Sequence, residues 1–340
     1  MRTPLNLFIA GITLVASAAV SAQGAPEKTK VHIAVGGKAA LYYLPLTIAE
    51  QLGYFKDEGL DVTISDFAGG SQALRAVIGG SADVVSGAYE HTLNMQSKGQ
   101  MLQAFVQQGR APMIVVAVAK ARAAGYRSPK DLKGMKIGVS APGSSTNMVV
   151  NFFIAKEGLK PSDVSIIGVG TGAGVIAAIK SGNVDAVSNL DPMMTKLEQD
   201  GDIRIVADTR TLKGTEEIFG GPMPAGCLYA PIEFIRKNPN TVQALTNAIV
   251  RADKWIHRAS AQDVMKAVPA SYLLGDTALY LFAFGRTREA ISPDGMISDA
   301  GARTTLKVIP VFNPDVKASN IKLELTYTNQ FVMKANAKYR

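Results

Sequence analysis

The chain is poor in cysteine and histidine and has one tryptophan. Cys227, the single cysteine, rules out an internal disulfide. At 340 residues the chain has length enough for a large core, or two, without one. No histidine stands near Cys227 in sequence, so it is expected as a small buried apolar residue, not a nucleophile. The three histidines, His32, His91 and His257, show no paired spacing, which argues against a metal site. His91 is expected on a helix surface. Lysine and arginine are scattered without a dense cluster, so no nucleic-acid partner is expected. The net charge is +8, or +7 once Arg2 is set aside, a mild bias toward anionic ligands. No late segment is apolar enough to span a membrane. The one long apolar run, Leu5 to Val20, follows Arg2 and precedes Val20-Ser21-Ala22. Residues 1–22 therefore read as a secretory signal peptide cleaved after Ala22. No cysteine lies at that point, which excludes lipid attachment there.

What is present is organised around Gly53 to Gly87. Leu60, Val62 and Ile64 alternate as a strand. Gly69-Gly70-Ser71 breaks the chain, then Ala73, Leu74, Val77 and Ile78 recur at helical spacing until Gly79-Gly80. Asp83-Val84-Val85 is expected as the return strand. Small residues before the helix expose backbone N–H groups where the helix dipole favours negative charge. The bland alternative is an ordinary strand-to-helix turn. The unit recurs: shifted by 102 residues, Gly70 falls on Gly172, Gly80 on Gly182, Asp83 on Asp185 and Ser86 on Ser188. That period is too long for a solenoid and predicts two α/β lobes on one plan. Each lobe is expected to be a mixed sheet flanked by helices, with a cleft between them lined by helix N-termini. The expected division is 29–113 with 222–340 for the first lobe and 114–221 for the second. The crossings are expected near Pro112–Val118 and Gly220–Pro224.

Candidate ligand residues stand in the turns. Lys38 follows the first strand and offers a charge-assisted contact or is a solvated lysine. Tyr42 lies just beyond it, and Tyr89 closes the return strand after Ser86, at the sheet edge where ligands of open α/β sheets bind. Ser144, Ser145 and Thr146 precede an apolar helix, and three hydroxyls exceed what capping needs. Gly168 to Ala173 matches G-x-G-x-x-A, but the equivalent turn at Gly69 lacks the pattern, so no dinucleotide cofactor is expected. Asn189 and Asp191 end the second return strand. Asp191 caps the helix after Pro192 or receives a cationic or hydroxyl group; both readings stand.

GYFKDEGLDV with FAGGSQALRAVIGGSADVVSG, LKGMKIGVSAPGSSTNMVVNFFIAKEGL and IAAIKSGNVDAVSNLDPM together resemble the substrate-binding proteins of ABC importers for sulfonates, taurine, nitrate and thiamine precursors. The resemblance covers most of residues 31–235. It implies a two-lobed periplasmic binding protein fold of the type II kind, with two crossovers. It also implies a periplasmic monomer that closes on a small solute and delivers it to a membrane permease. The ligand residues it implies are the Gly37–Tyr42 loop with Lys38, Gly70, Ser71, Ser86 to Tyr89, Ser144, Ser145, Thr146, Thr171, Asn189 and Asp191. The expected solute is a small sulfonate- or carboxylate-like anion, bound without cofactor, metal or turnover. The same resemblance includes a thiamine-pyrimidine synthase with a cysteine-rich motif; this chain has one cysteine and no CxxxC.

Overall fold

The computed structural model describes residues 24–340. The expected signal peptide lies outside the described residues. Among the described residues ten strands make the framework: β1 (Lys30–Gly36), β2 (Asp61–Phe67), β3 (Val84–Ala88), β4 (Leu102–Gln107), β5 (Ile114–Ala119), β6 (Lys136–Val139), β7 (Ser165–Gly168), β8 (Ala186–Leu190), β9 (Ile203–Asp208) and β10 (Gly226–Pro231). They form two five-stranded sheets of matching order, β2-β1-β3-β10-β4 and β7-β6-β8-β5-β9. In each, the strand in the second position, β1 or β6, pairs in parallel with both neighbours, β2 and β3 or β7 and β8. The fourth position holds an antiparallel strand, β10 in the first sheet and β5 in the second. The internal repeat is therefore a repeat of topology.

Local sequence explains the elements. Strand β1 is buried on both faces at Ile33, Ala34 and Val35, as a central parallel strand must be. Strand β2, at the edge, buries no residue fully and alternates exposed with half-buried side chains. The helix Gly70–Ile78 puts Ala73, Leu74 and Val77 inward and stops at Gly79, with Gly80 at φ +76°. The 20-residue helix Pro239–Arg258 opens on proline and buries Val242, Leu245, Ile249, Ala252 and Ile256. Its apolar face and the helix Gln330–Lys338 share one core. Helix Asp299–Phe312 is capped by Ser298, whose Oγ accepts from Gly301 N–H at 3.1 Å.

The chain passes between sheets twice. The first passage occupies 108–113, after β4 and before β5. It thus starts earlier than Pro112–Val118, because Ile114 to Val118 already pair with β8. The second runs from 209 to 225 and carries the helix Leu212–Phe219, which the Gly-Pro signal at Gly220–Pro224 does not reveal. Both passages are held near the C-terminal part: Arg110 N–H donates to Ala290 O at 2.8 Å, and Leu212 N–H donates to Glu289 Oε1 at 3.1 Å.

Candidate functional site

The turns after equivalent strands face each other and touch. Ser71, in the first turn of its helix, donates its N–H to Ser144 Oγ at 3.0 Å and its hydroxyl to Pro142 O at 2.9 Å. Ser144 Oγ in turn donates to Ser71 Oγ at 3.1 Å. Leu41 N–H donates to Asp191 O at 3.0 Å. Glycine permits this approach: a Cβ on Gly37 would stand 2.1 Å from Thr171 Oγ1, and one on Gly69 would stand 2.8 Å from Ala141 Cβ. Further out, Asn94 Nδ2 reaches Met148 Sδ at 3.8 Å, and Asn151 Nδ2 donates to Phe312 O at 3.4 Å.

Behind these contacts lies an interlobe cavity of ≈ 10 Å³, about the space of one water. Its lining is Tyr42, Glu90, Pro112, Ser145, Met148, Val149, Phe219, Met223, Pro224, Ala225 and Phe312. Eight of these are apolar; the polar groups are a phenol, a carboxyl and a hydroxyl. Tyr42 Oη is buried without a hydrogen-bond partner. Tyr43 packs edge-on against Tyr42, ring centroids 4.7 Å apart. Burial raises the Glu90 carboxyl to about 7. Next to it His91 bonds through Nδ1 to Tyr229 Oη at 2.9 Å. Burial depresses the His91 imidazole to about 4, so it is neutral near pH 7. His91 is thus not on a helix surface: its short helix packs into the first lobe, and Gly70 is glycine where a Cβ would meet His91 Cε1 at 3.3 Å.

The sequence-derived candidates divide into three groups. Tyr42 and Ser145 line the cavity, Ser71, Ser144 and Thr171 form the contact above it, and Gly70, next to Ser71, packs against His91 within the first lobe. Ser86, Thr146 and Asn189 are buried supports. Ser86 Oγ accepts from Gln108 Nε2 at 2.9 Å, Thr146 Oγ1 accepts from Ser140 N–H at 3.0 Å, and Asn189 Nδ2 donates to Gly170 O at 2.9 Å.

The third group points elsewhere. Lys38 is ion-paired with Glu50 at 2.6 Å. Tyr89 turns its hydroxyl to Thr326 Oγ1 at 2.6 Å and its ring edge to Tyr327, into the C-terminal segment. Asp191 accepts from Thr195 N–H at 2.8 Å, which is the helix-capping reading, and pairs with buried Arg210 at 3.4 Å.

Arg210 also binds Asp208 at 2.6 Å and Glu198 at 3.3 Å, and Arg286 reaches the same two acids. Burial lowers and these acids raise the Arg210 guanidinium pKa, and the acids win. Glu90, Phe219, Met223 and Phe312 were not legible as site residues. Apart from an acid directly after Tyr89, nothing in their local sequence marks them, and three of the four come from the second passage and the C-terminal helices.

The NMT1/THI5 like family model matches residues 40–261. A solved structure of a protein from Bordetella bronchiseptica RB50 is 64% identical, with TM-score 0.91 over 92% of this chain and 99% of that one. The putative binding protein YtlA of Bacillus subtilis is 24% identical over 283 residues, 80% of each chain. A 4-amino-5-hydroxymethyl-2-methylpyrimidine phosphate synthase of Schizosaccharomyces pombe is 27% identical over 229 residues, 65% of this chain and 63% of that one. The alkanesulfonate-binding protein SsuA of Xanthomonas axonopodis pv. citri, solved with MOPS, is 20% identical and superposes with TM-score 0.67 over 89% of this chain and 99% of its own. The α/β fold with two lobes is that of the periplasmic binding proteins, and the chain belongs to the NMT1/THI5-like family.

Proposed function

We propose that the protein is the solute-binding component of an ABC importer, a periplasmic monomer that captures a small organic solute between its lobes and delivers it to a membrane permease. One observation carries this: two sheets of matching order, joined by two passages, meet around one cavity lined from both sides. At ≈ 10 Å³ that cavity takes no organic solute while the serines touch, so capture requires the lobes to part and close again. The lobe limits proposed are 29–113 with 222–340, and 114–221. A sulfonate- or carboxylate-like group of the solute belongs at the helix starts at Gly70 and Ser145, whose serines then exchange each other for the anion.

Binding without turnover is the reading preferred over the synthase chemistry named for one relative. Cys227 is wholly buried and burial pushes its thiol pKa up, so it is no nucleophile. The test is a thermal-shift screen over alkanesulfonates, carboxylates, nitrate and pyrimidines. A true solute raises the melting temperature, by the equivalent of about 2.7 kcal/mol at a hundredfold excess over Kd. Recovery of chemically altered solute after incubation would overturn the binding-only reading.

A further inference from the structure

The interlobe cavity has an acid on its wall and no base. Glu90 is 4% exposed and lines the cavity, and among the described residues no side chain hydrogen-bonds or ion-pairs with its carboxyl group. Lys38 is committed to Glu50, and Arg210 and Arg286 are committed to Asp208 and Glu198. Its own backbone N–H donates to the Glu90 carboxyl group, but no cation is paired with it, and burying a carboxylate without a counter-charge is costly. Across the cavity stands Ser145, first residue of the 11-residue helix Ser145–Ala155, whose N-terminal amides favour negative charge. The wall between is apolar, with Met148, Phe219 and Phe312. The cavity therefore has an acceptor supplied by one lobe and donors supplied by the other.

We infer that Glu90 receives a basic, hydrogen-bond-donating nitrogen of the solute and so selects dipolar solutes, with the anionic end on the helix start at Ser145. This rests on the solute-binding reading and adds a chemical class to it. A nitrogen supplies Glu90 with both charge and N–H donors. A solute with an anion alone leaves the acid unpaired against an apolar wall.

The experiment compares matched pairs by thermal shift and calorimetry at millimolar concentration: butanoate with 4-aminobutanoate, propanesulfonate with 3-aminopropanesulfonate, and 4-methylbenzoate with 4-(aminomethyl)benzoate. The amino member of a binding pair should bind about tenfold or more tighter, the size of a hydrogen bond to a charged group. Glu90→Gln should remove that advantage, bringing the two members of a binding pair to within about twofold of each other. Equal affinities within each pair, in the parent protein alone, overturn the assignment, so it does not depend on the variant folding. An unchanged amino preference in Glu90→Gln also overturns it. Shifts with amine-free anions only overturn the Glu90 assignment and leave solute capture standing. No shift with any member counts against both.

Discussion

Replacing Glu90 by glutamine should change how stability depends on pH. In the folded protein Glu90 titrates near 7, raised from 4.5 by burial. Below pH 4.5 both folded and unfolded chains hold the proton, and the term is absent. As pH rises from 4.5 to 7 the unfolded chain releases it and the folded chain keeps it, so stability falls. One pKa unit is worth about 1.4 kcal/mol, so the loss is about 3 kcal/mol by pH 7. His91 works in the opposite sense. Its folded value, near 4 against 6.5, adds stability above pH 6.5 that is lost as pH falls toward 4. The two nearly cancel between pH 4.5 and 6.5 in the parent. In Glu90→Gln only the His91 gain remains. The assay is urea unfolding of both proteins at half-unit steps from pH 4.5 to 8. The stability of the variant relative to the parent should climb by about 3 kcal/mol and level off above pH 7. A constant amide-burial offset drops out of the slope, and surface groups common to both proteins drop out of the difference. A flat difference across the range would refute the view that Glu90 is sealed between the lobes.

His91→Gln should do the reverse, leaving a fall in stability between pH 4.5 and 7, read by the same titration. Gly37→Ala places a methyl 2.1 Å from Thr171 Oγ1, at φ +99°, so the lobes should stay apart; small-angle scattering should give a larger radius of gyration than the parent, and an equal radius rejects the contact. Gly36→Ala puts a Cβ 2.2 Å from the backbone of Gly69 and Gly70, within one lobe, and should cost roughly 3 kcal/mol or more in denaturant unfolding. Arg210→Met leaves Asp191 and its neighbours without their buried cation and should destabilise by about 3–5 kcal/mol; a loss under 1 kcal/mol would show the network to be solvated.

Much of the fold was legible because it is written in local periodicity. Apolar alternation marks β1 and the strand before Gly69, helical spacing and Gly79-Gly80 mark the helix between, and the 102-residue shift marks the second copy. The turns that meet across the lobes were legible for the same reason, since each follows a strand and opens a helix. The direction of individual side chains was not. Lys38, Tyr89 and Asp191 sit at the right turns, yet their partners are Glu50, Thr326 and Arg210, at separations of 12, 237 and 19 residues. Sequence spacing carries no information about such pairings. His91 looked like a surface residue because its helix is short and polar; only Tyr229, from a strand that returns after the second passage, makes its burial intelligible. The cavity likewise exists only in three dimensions. Sequence by itself determined most of the strands and helices and the turns between them, though not the helix Leu212–Phe219, through backbone preference and hydrophobic period. Tertiary structure alone decided that Glu90 meets Met148, Phe219 and Phe312 in one desolvated space, because burial and its electrostatic consequences arise from what distant segments exclude from water.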